Sequence, residues 1–162
     1  MRRFTAAVLA VLALSAPLRA ADPLAKYATV DIKACTTSIY IATVTMIMPP
    51  FVRRNAVYSS TYYAKVFPYF LFNERGRIWI AITDDELRRA EKGEPVSFTG
   101  RAINNKGDER RVDGNATPTG PRSGNIRVRV FVTRKISLTY DTTYELTGPD
   151  GPVEASRARP AR

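Results

Sequence analysis

Histidine is absent from the 162 residues, and cysteine occurs once, at Cys35. Without imidazole there is no Ser-His-Asp or Cys-His catalysis and no histidine metal site. A single cysteine closes no intramolecular disulfide and builds no thiolate zinc site, so the thiol is expected to be buried and structural. Cys35 follows Ile32-Lys33-Ala34, which is no lipid-anchor signal. Apolar runs of the roughly 20 residues that span a bilayer are also missing. Acids are scarce, 15 against 25 lysines and arginines, for a net charge of +10.

The longest apolar run, Ala6 to Ala16, follows Met1-Arg2-Arg3 and leads into Pro17-Leu18-Arg19-Ala20-Ala21. A positive start, an apolar middle and small residues at the end make a secretory signal, with cleavage expected after Ala20. Its removal takes away Arg2, Arg3 and Arg19 and no acid, leaving 22 basic residues against 15 acidic, a net +7. The remaining chain is expected to be periplasmic or secreted, to hold one domain, and to carry no transmembrane span. Its basic bias suits an anionic partner such as an acidic glycan or lipid headgroups. Nucleic acid is not an expected partner.

Residues 21–35 form a lead-in, residues 36–146 the domain, and residues 147–162, rich in Pro, Gly and charge, a disordered tail. Thr36 to Met48 is dense in β-branched residues and reads as one strand ending at Pro49-Pro50. Val57 to Phe72 is a long extended segment crowded with Tyr and Phe. Pro68 inside it marks an edge or bulge. After the turn residues Asn73-Glu74-Arg75-Gly76, Ile78, Ile80 and Ile82 alternate against Trp79, so a hairpin joins the two segments.

A short helix is expected over 83–92: Thr83 and Glu86 make a capping box, and Gly93 supplies the stop. Val96–Ile103 and Glu109–Thr117 flank the turn Asn104-Asn105-Lys106-Gly107, with bends or bulges at Gly100 and Gly114. Ile126 to Leu146 alternates throughout and is too long for one strand, so it must turn near Thr133-Arg134-Lys135 or bend around a barrel. The fold class is mainly β: a single antiparallel barrel or sandwich of about seven strands. One short helix lies between strands, an OB-like element order.

No carboxylate pair stands out as catalytic. Asp84 and Asp85 belong to a helix start, Asp108 and Glu109 to a turn, and Asp141 and Glu145 to the polar face of a strand. None is expected to be buried, so none has a reason for a shifted pKa. Asn104, Asn105 and Asp108 come nearest to a cation loop, but Lys106, Arg110 and Arg111 oppose it, and no metal or cofactor is expected. The best surface signal is basic and aromatic: Arg101, Arg111, Arg127 and Arg129 share the outward parity, and Trp79 faces away from three isoleucines. Such a patch suits phosphates and sugars, unless its arginines pair with Asp113, Asp141 or Glu145 across strands.

With FVRRNAVY at 51–58, TDDELRRAEKGEPVSFTGRA at 83–102 and GNIRVRVFVTRKISL at 124–138, the chain resembles a family of small exported bacterial β-rich proteins. The resemblance covers Thr36 to Leu146 and implies a compact β-domain behind a signal peptide. It brings no activity and no functional residue. The expected function is therefore a non-enzymatic exported binding domain for an anionic envelope component or a partner protein. The alternatives are an assembly module pairing through an edge strand and, last, a carboxylate-dependent glycoside hydrolase.

Overall fold

Residues of alternating polarity become walls when their apolar parity can be buried, and here that parity closes on itself. The computed structural model describes residues 25–148; the expected leader and all but the start of the expected tail lie outside them. The strands are β1 (Thr29–Ile32), β2 (Cys35–Ile39), β3 (Ala42–Ile47), β4 (Phe51–Arg54), β5 (Val57–Phe67), β6 (Glu74–Ala81), β7 (Val96–Asn104), β8 (Glu109–Pro118), β9 (Ser123–Phe131) and β10 (Ser137–Thr147). One α-helix, α1 (Asp84–Glu91), separates β6 from β7. Hydrogen-bonded neighbours run β5-β4-β1-β10-β9-β8-β7-β6, and β6 pairs back onto β5. That pairing closes an eight-stranded antiparallel barrel, with β2 and β3 added outside the ring on β5.

The barrel expectation therefore holds and the sandwich does not, while the count of about seven strands is corrected to eight plus two. An OB-type barrel has five strands, so the likeness to that order ends at the helix between two strands. The extra strands come from two tight reversals that no glycine or proline marks. Thr36–Met48 is a hairpin, β2–β3, that reverses at Tyr40-Ile41 with Tyr40 at φ 51. β4 and β5 reverse at Asn55-Ala56, with φ 48 and 62, the positive φ pair that a type I′ turn needs. Strand β1 falls within the stretch read as lead-in.

Inward residues of the ring make the core: Ile78 and Ile80 of β6, Phe98 of β7, Val112 of β8, Ile126 and Val130 of β9, and Tyr140, Tyr144 and Leu146 of β10. Arg101, Arg111, Arg127 and Arg129 of the opposite parity are exposed. The long alternating segment turns between Val132 and Ile136, where the Val132 amide donates to the Ile136 carbonyl at 3.0 Å. No bulge interrupts β7–β8: Gly100 pairs with Val112 and Gly114 with Phe98 in one continuous ladder. Gly114 instead makes room for the Phe98 ring, which a Cβ would approach to 2.1 Å. Pro68 lies just beyond the end of β5, not within the strand.

One end of the barrel is shut by α1. Thr83 and Glu86 form the expected capping box, with the Thr83 amide donating to the Glu86 carboxylate at 2.7 Å. Leu87 is the helix's buried residue, and Glu86, Leu87 and Ala90 floor a wholly apolar space of about 100 Å³ among Ile80, Phe98 and Leu146. At the same end the Tyr58 hydroxyl, itself buried, donates to the Tyr27 carbonyl at 2.7 Å and ties the segment before β1 to the ring. Tyr58→Phe is expected to cost about 1–2 kcal/mol, because the Tyr27 carbonyl loses its buried donor. Thermal unfolding of the two proteins checks this; unchanged melting would show that the bond contributes nothing. Cys35 is buried and free, as expected of a structural thiol, and burial pushes its pKa up to about 11. At neutral pH it is therefore a thiol rather than a reactive thiolate.

Candidate functional site

The five residues singled out from the sequence share the outer face of β6–β9. Trp79 stands opposite Arg101, Arg101 opposite Arg111, and Arg111 opposite Phe131. The Arg101 guanidinium lies 5.3 Å from the Trp79 ring centre, and that of Arg111 lies 5.4 Å from the Phe131 ring centre. Arg129 sits between Asp113 and Thr139, and Arg127 between Asn115 and Asp141. Two of the four arginines are held by carboxylates: Arg111 by Asp113 at 2.8 Å and Arg127 by Asp141 at 2.6 Å. Arg101 and Arg129 have no carboxylate partner among the described residues. The patch is thus contiguous but convex and partly neutralised.

Most other acids are also spent on local structure. Asp84 pairs with Arg53, Asp85 with Arg88, Glu91 with Lys26 and Glu94 with Arg89. Among the described residues, no three acids or cysteines gather where they could hold a metal ion.

The end opposite α1 is open. Between the β2–β3 turn, the β5–β6 connection and the β9–β10 turn lies a cavity of about 490 Å³. Val44, Ala64, Val66, Ala102, Val130 and Leu138 supply apolar walls. This volume falls within the roughly 300–1,000 Å³ of small-molecule sites. On one wall lies Glu74, on which three polar side chains converge. Its carboxylate accepts from the Tyr62 hydroxyl at 2.6 Å, from the Asn104 amide at 3.0 Å and from the Arg110 guanidinium at 2.9 Å. Arg110 also donates to the Val132 carbonyl at 2.6 Å. Burial pushes the Glu74 pKa up, but the three donors outweigh it and hold the carboxyl below its ordinary value. Glu74 is half-buried, its side chain 24% exposed, so no acid is fully buried among the described residues, but this one has a cause for a shifted pKa that its place in a turn did not announce.

Across the same space stands Tyr140, 2% exposed, whose buried hydroxyl has no hydrogen-bond partner among the described residues. Desolvation drives its pKa upward, so it is a neutral donor.

The rim of this opening is apolar. Of the ten exposed large hydrophobic residues among the described residues, seven lie here: Tyr40 and Ile41 on one turn, and Phe67, Tyr69, Phe70, Leu71 and Phe72 at the next connection. Tyr40 is 95% exposed and Leu71 96%. The two groups are neighbours, since Thr43 of β3 pairs with Phe67 of β5. Exposed Lys65, Arg75, Lys106, Arg134 and Lys135 stand at this end against exposed Asp108 and Glu109.

Reading the sequence missed this site. Two signals pointed to it: Glu74 shares its parity with Ile78 and Ile80, and Arg110 shares its own with Val112, so both had to point inward. The aromatic crowding before Phe72 was visible, but it was read as strand. Compared with protein-family models, with curated proteins and with solved structures, the chain finds no match.

Proposed function

We propose that the protein is an exported, non-catalytic binding domain that docks the open end of its barrel on an anionic envelope surface, the headgroup layer of a membrane containing acidic lipid. One observation carries this reading: seven large apolar side chains are exposed on two adjacent loops of the same end. Exposed apolar clusters of this kind cost free energy in water and mark interaction surfaces. Aromatic and leucine side chains flanked by lysine and arginine suit the boundary between headgroups and acyl chains. Each basic residue near an acidic leaflet adds about 1 kcal/mol of attraction. The wall itself is no membrane span, because its strands turn polar residues outward and apolar ones inward, the reverse of a lipid-facing barrel.

Sedimentation with vesicles tests the proposal. The purified protein should pellet with phosphatidylglycerol-containing vesicles, less with pure phosphatidylcholine, and less again as salt screens the charges. Replacing Leu71 and Phe72 together by aspartate should weaken binding by roughly tenfold or more, about 1.4 kcal/mol. Both side chains are exposed, so folding should be unaffected. Equal binding by the parent and the double variant would overturn the reading.

A further inference from the structure

We infer that the open half of the barrel is a binding site for a single-chain apolar molecule with an uncharged oxygen at one end, of the class of long-chain alcohols. Its oxygen would sit at Tyr140, and its chain would run up the wall to the rim. This goes beyond surface docking and stands on the cavity interior and Tyr140 rather than on the exposed rim.

Three observations carry it. The cavity of about 490 Å³ is walled chiefly by aliphatic side chains, and two inward positions are only alanine, Ala64 and Ala102, which leaves width in the middle of the ring. Tyr140 lines both this cavity and the smaller apolar space beneath it, and its buried hydroxyl is unpartnered. A donor buried without an acceptor is destabilising, and a ligand oxygen placed there would restore the bond. Finally, Glu74 and Arg110, the charged residues of the cavity wall, neutralise each other at 2.9 Å. A carboxylate head would be repelled by Glu74 and an ammonium by Arg110, and either would be desolvated without a free counterion. An uncharged oxygen meets neither penalty.

The geometry also sets a minimum length. Tyr140 lies three residues below Ser137, the first residue of β10, a rise of about 10 Å. A medium-length chain therefore reaches the mouth, where Tyr69 and Phe72 receive its tail.

Displacement of N-phenyl-1-naphthylamine, an uncharged apolar fluorophore, tests the inference in vesicle-free buffer, so the result does not depend on membrane docking. The folded protein should enhance the probe's fluorescence. Decanol should displace the probe, and decanoate and decyltrimethylammonium should each do so at least tenfold more weakly. Tyr140→Phe should weaken decanol about tenfold and weaken the probe, which has no oxygen to meet the hydroxyl, by much less. Leu138→Trp, which fills the mouth from a half-buried position, should abolish the binding of both; circular dichroism reports whether each variant keeps its β spectrum. Failure of the folded parent protein to bind the probe or decanol would overturn the inference. So would equal affinity for the three head groups, or a Tyr140→Phe protein that holds decanol as well as the parent.

Discussion

Replacing Arg110 by alanine should lower the free energy of unfolding by about 2 kcal/mol, below the scale of removing one partner from a fully buried ion pair, because this pair is half-buried. The Arg110 and Glu74 side chains are 16% and 24% exposed, and the carboxylate would keep only its tyrosine and asparagine donors. The Val132 carbonyl would also lose the donor that fastens the β9–β10 turn to β8. Urea unfolding at neutral pH measures the effect. The Glu74→Leu/Arg110→Leu double variant should be less destabilised than Arg110→Ala, because it leaves no charge stranded. A double variant at least as unstable as Arg110→Ala would show that the network stabilises by more than mutual neutralisation.

The same pair sets an acid dependence. The folded Glu74 pKa lies below its unfolded value. Its contribution is therefore complete above the ordinary glutamate pKa, about 4.3, and is lost as pH falls through the folded value. In Arg110→Ala the loss of stability between neutral and acid pH should be smaller than in the parent.

The second large effect is expected at Gly100. A Cβ there would stand 2.3 Å from the Trp79 carbonyl oxygen and 3.0 Å from the Ile80 side chain. Gly100 faces inward and pairs with Ile80, so the clash is with the backbone of the neighbouring strand, which cannot swing aside as a side-chain end can. Gly100→Val should cost about 3 kcal/mol, the upper part of the range for overpacking, by forcing β6 and β7 apart. Thr99→Val, one residue away and facing solvent, is the control and should change stability little. Chemical denaturation of both checks this. A Gly100→Val protein as stable as the parent would mean that the wall yields where the geometry says it is tight.

The helix was legible in full because its signals are local. Thr83, Glu86 and Gly93 act within one or two turns of chain, and no distant partner is needed to interpret them. The β6 to β10 part of the ring was legible for a similar reason: alternation names the inner face, and Asn104–Gly107 marks its turn. The β2–β3 hairpin was not legible, because Tyr40 adopts a positive φ that tyrosine seldom takes. Nothing in the local residues announces a reversal that the pairing of β3 with β5 imposes. The arginine row was seen, and the ladders do bring Trp79, Arg101 and Arg111 side by side. Which arginines meet acids depended on register, which composition does not contain.

By itself, then, the sequence determined the chemistry that is excluded, the inner and outer faces of the later strands, the capped helix and the basic outer surface. All of these follow from residue type and from spacings within one element. Only the tertiary structure decided that the sheet closes through β5–β6, that Glu74 and Arg110 meet inside the wall, and that Tyr140 lies unpartnered over an open cavity. Each depends on residues distant in sequence, Glu74 and Arg110 being 36 positions apart, brought together by ring closure, and the free energy of that closure is shared by the whole core rather than written in any one segment.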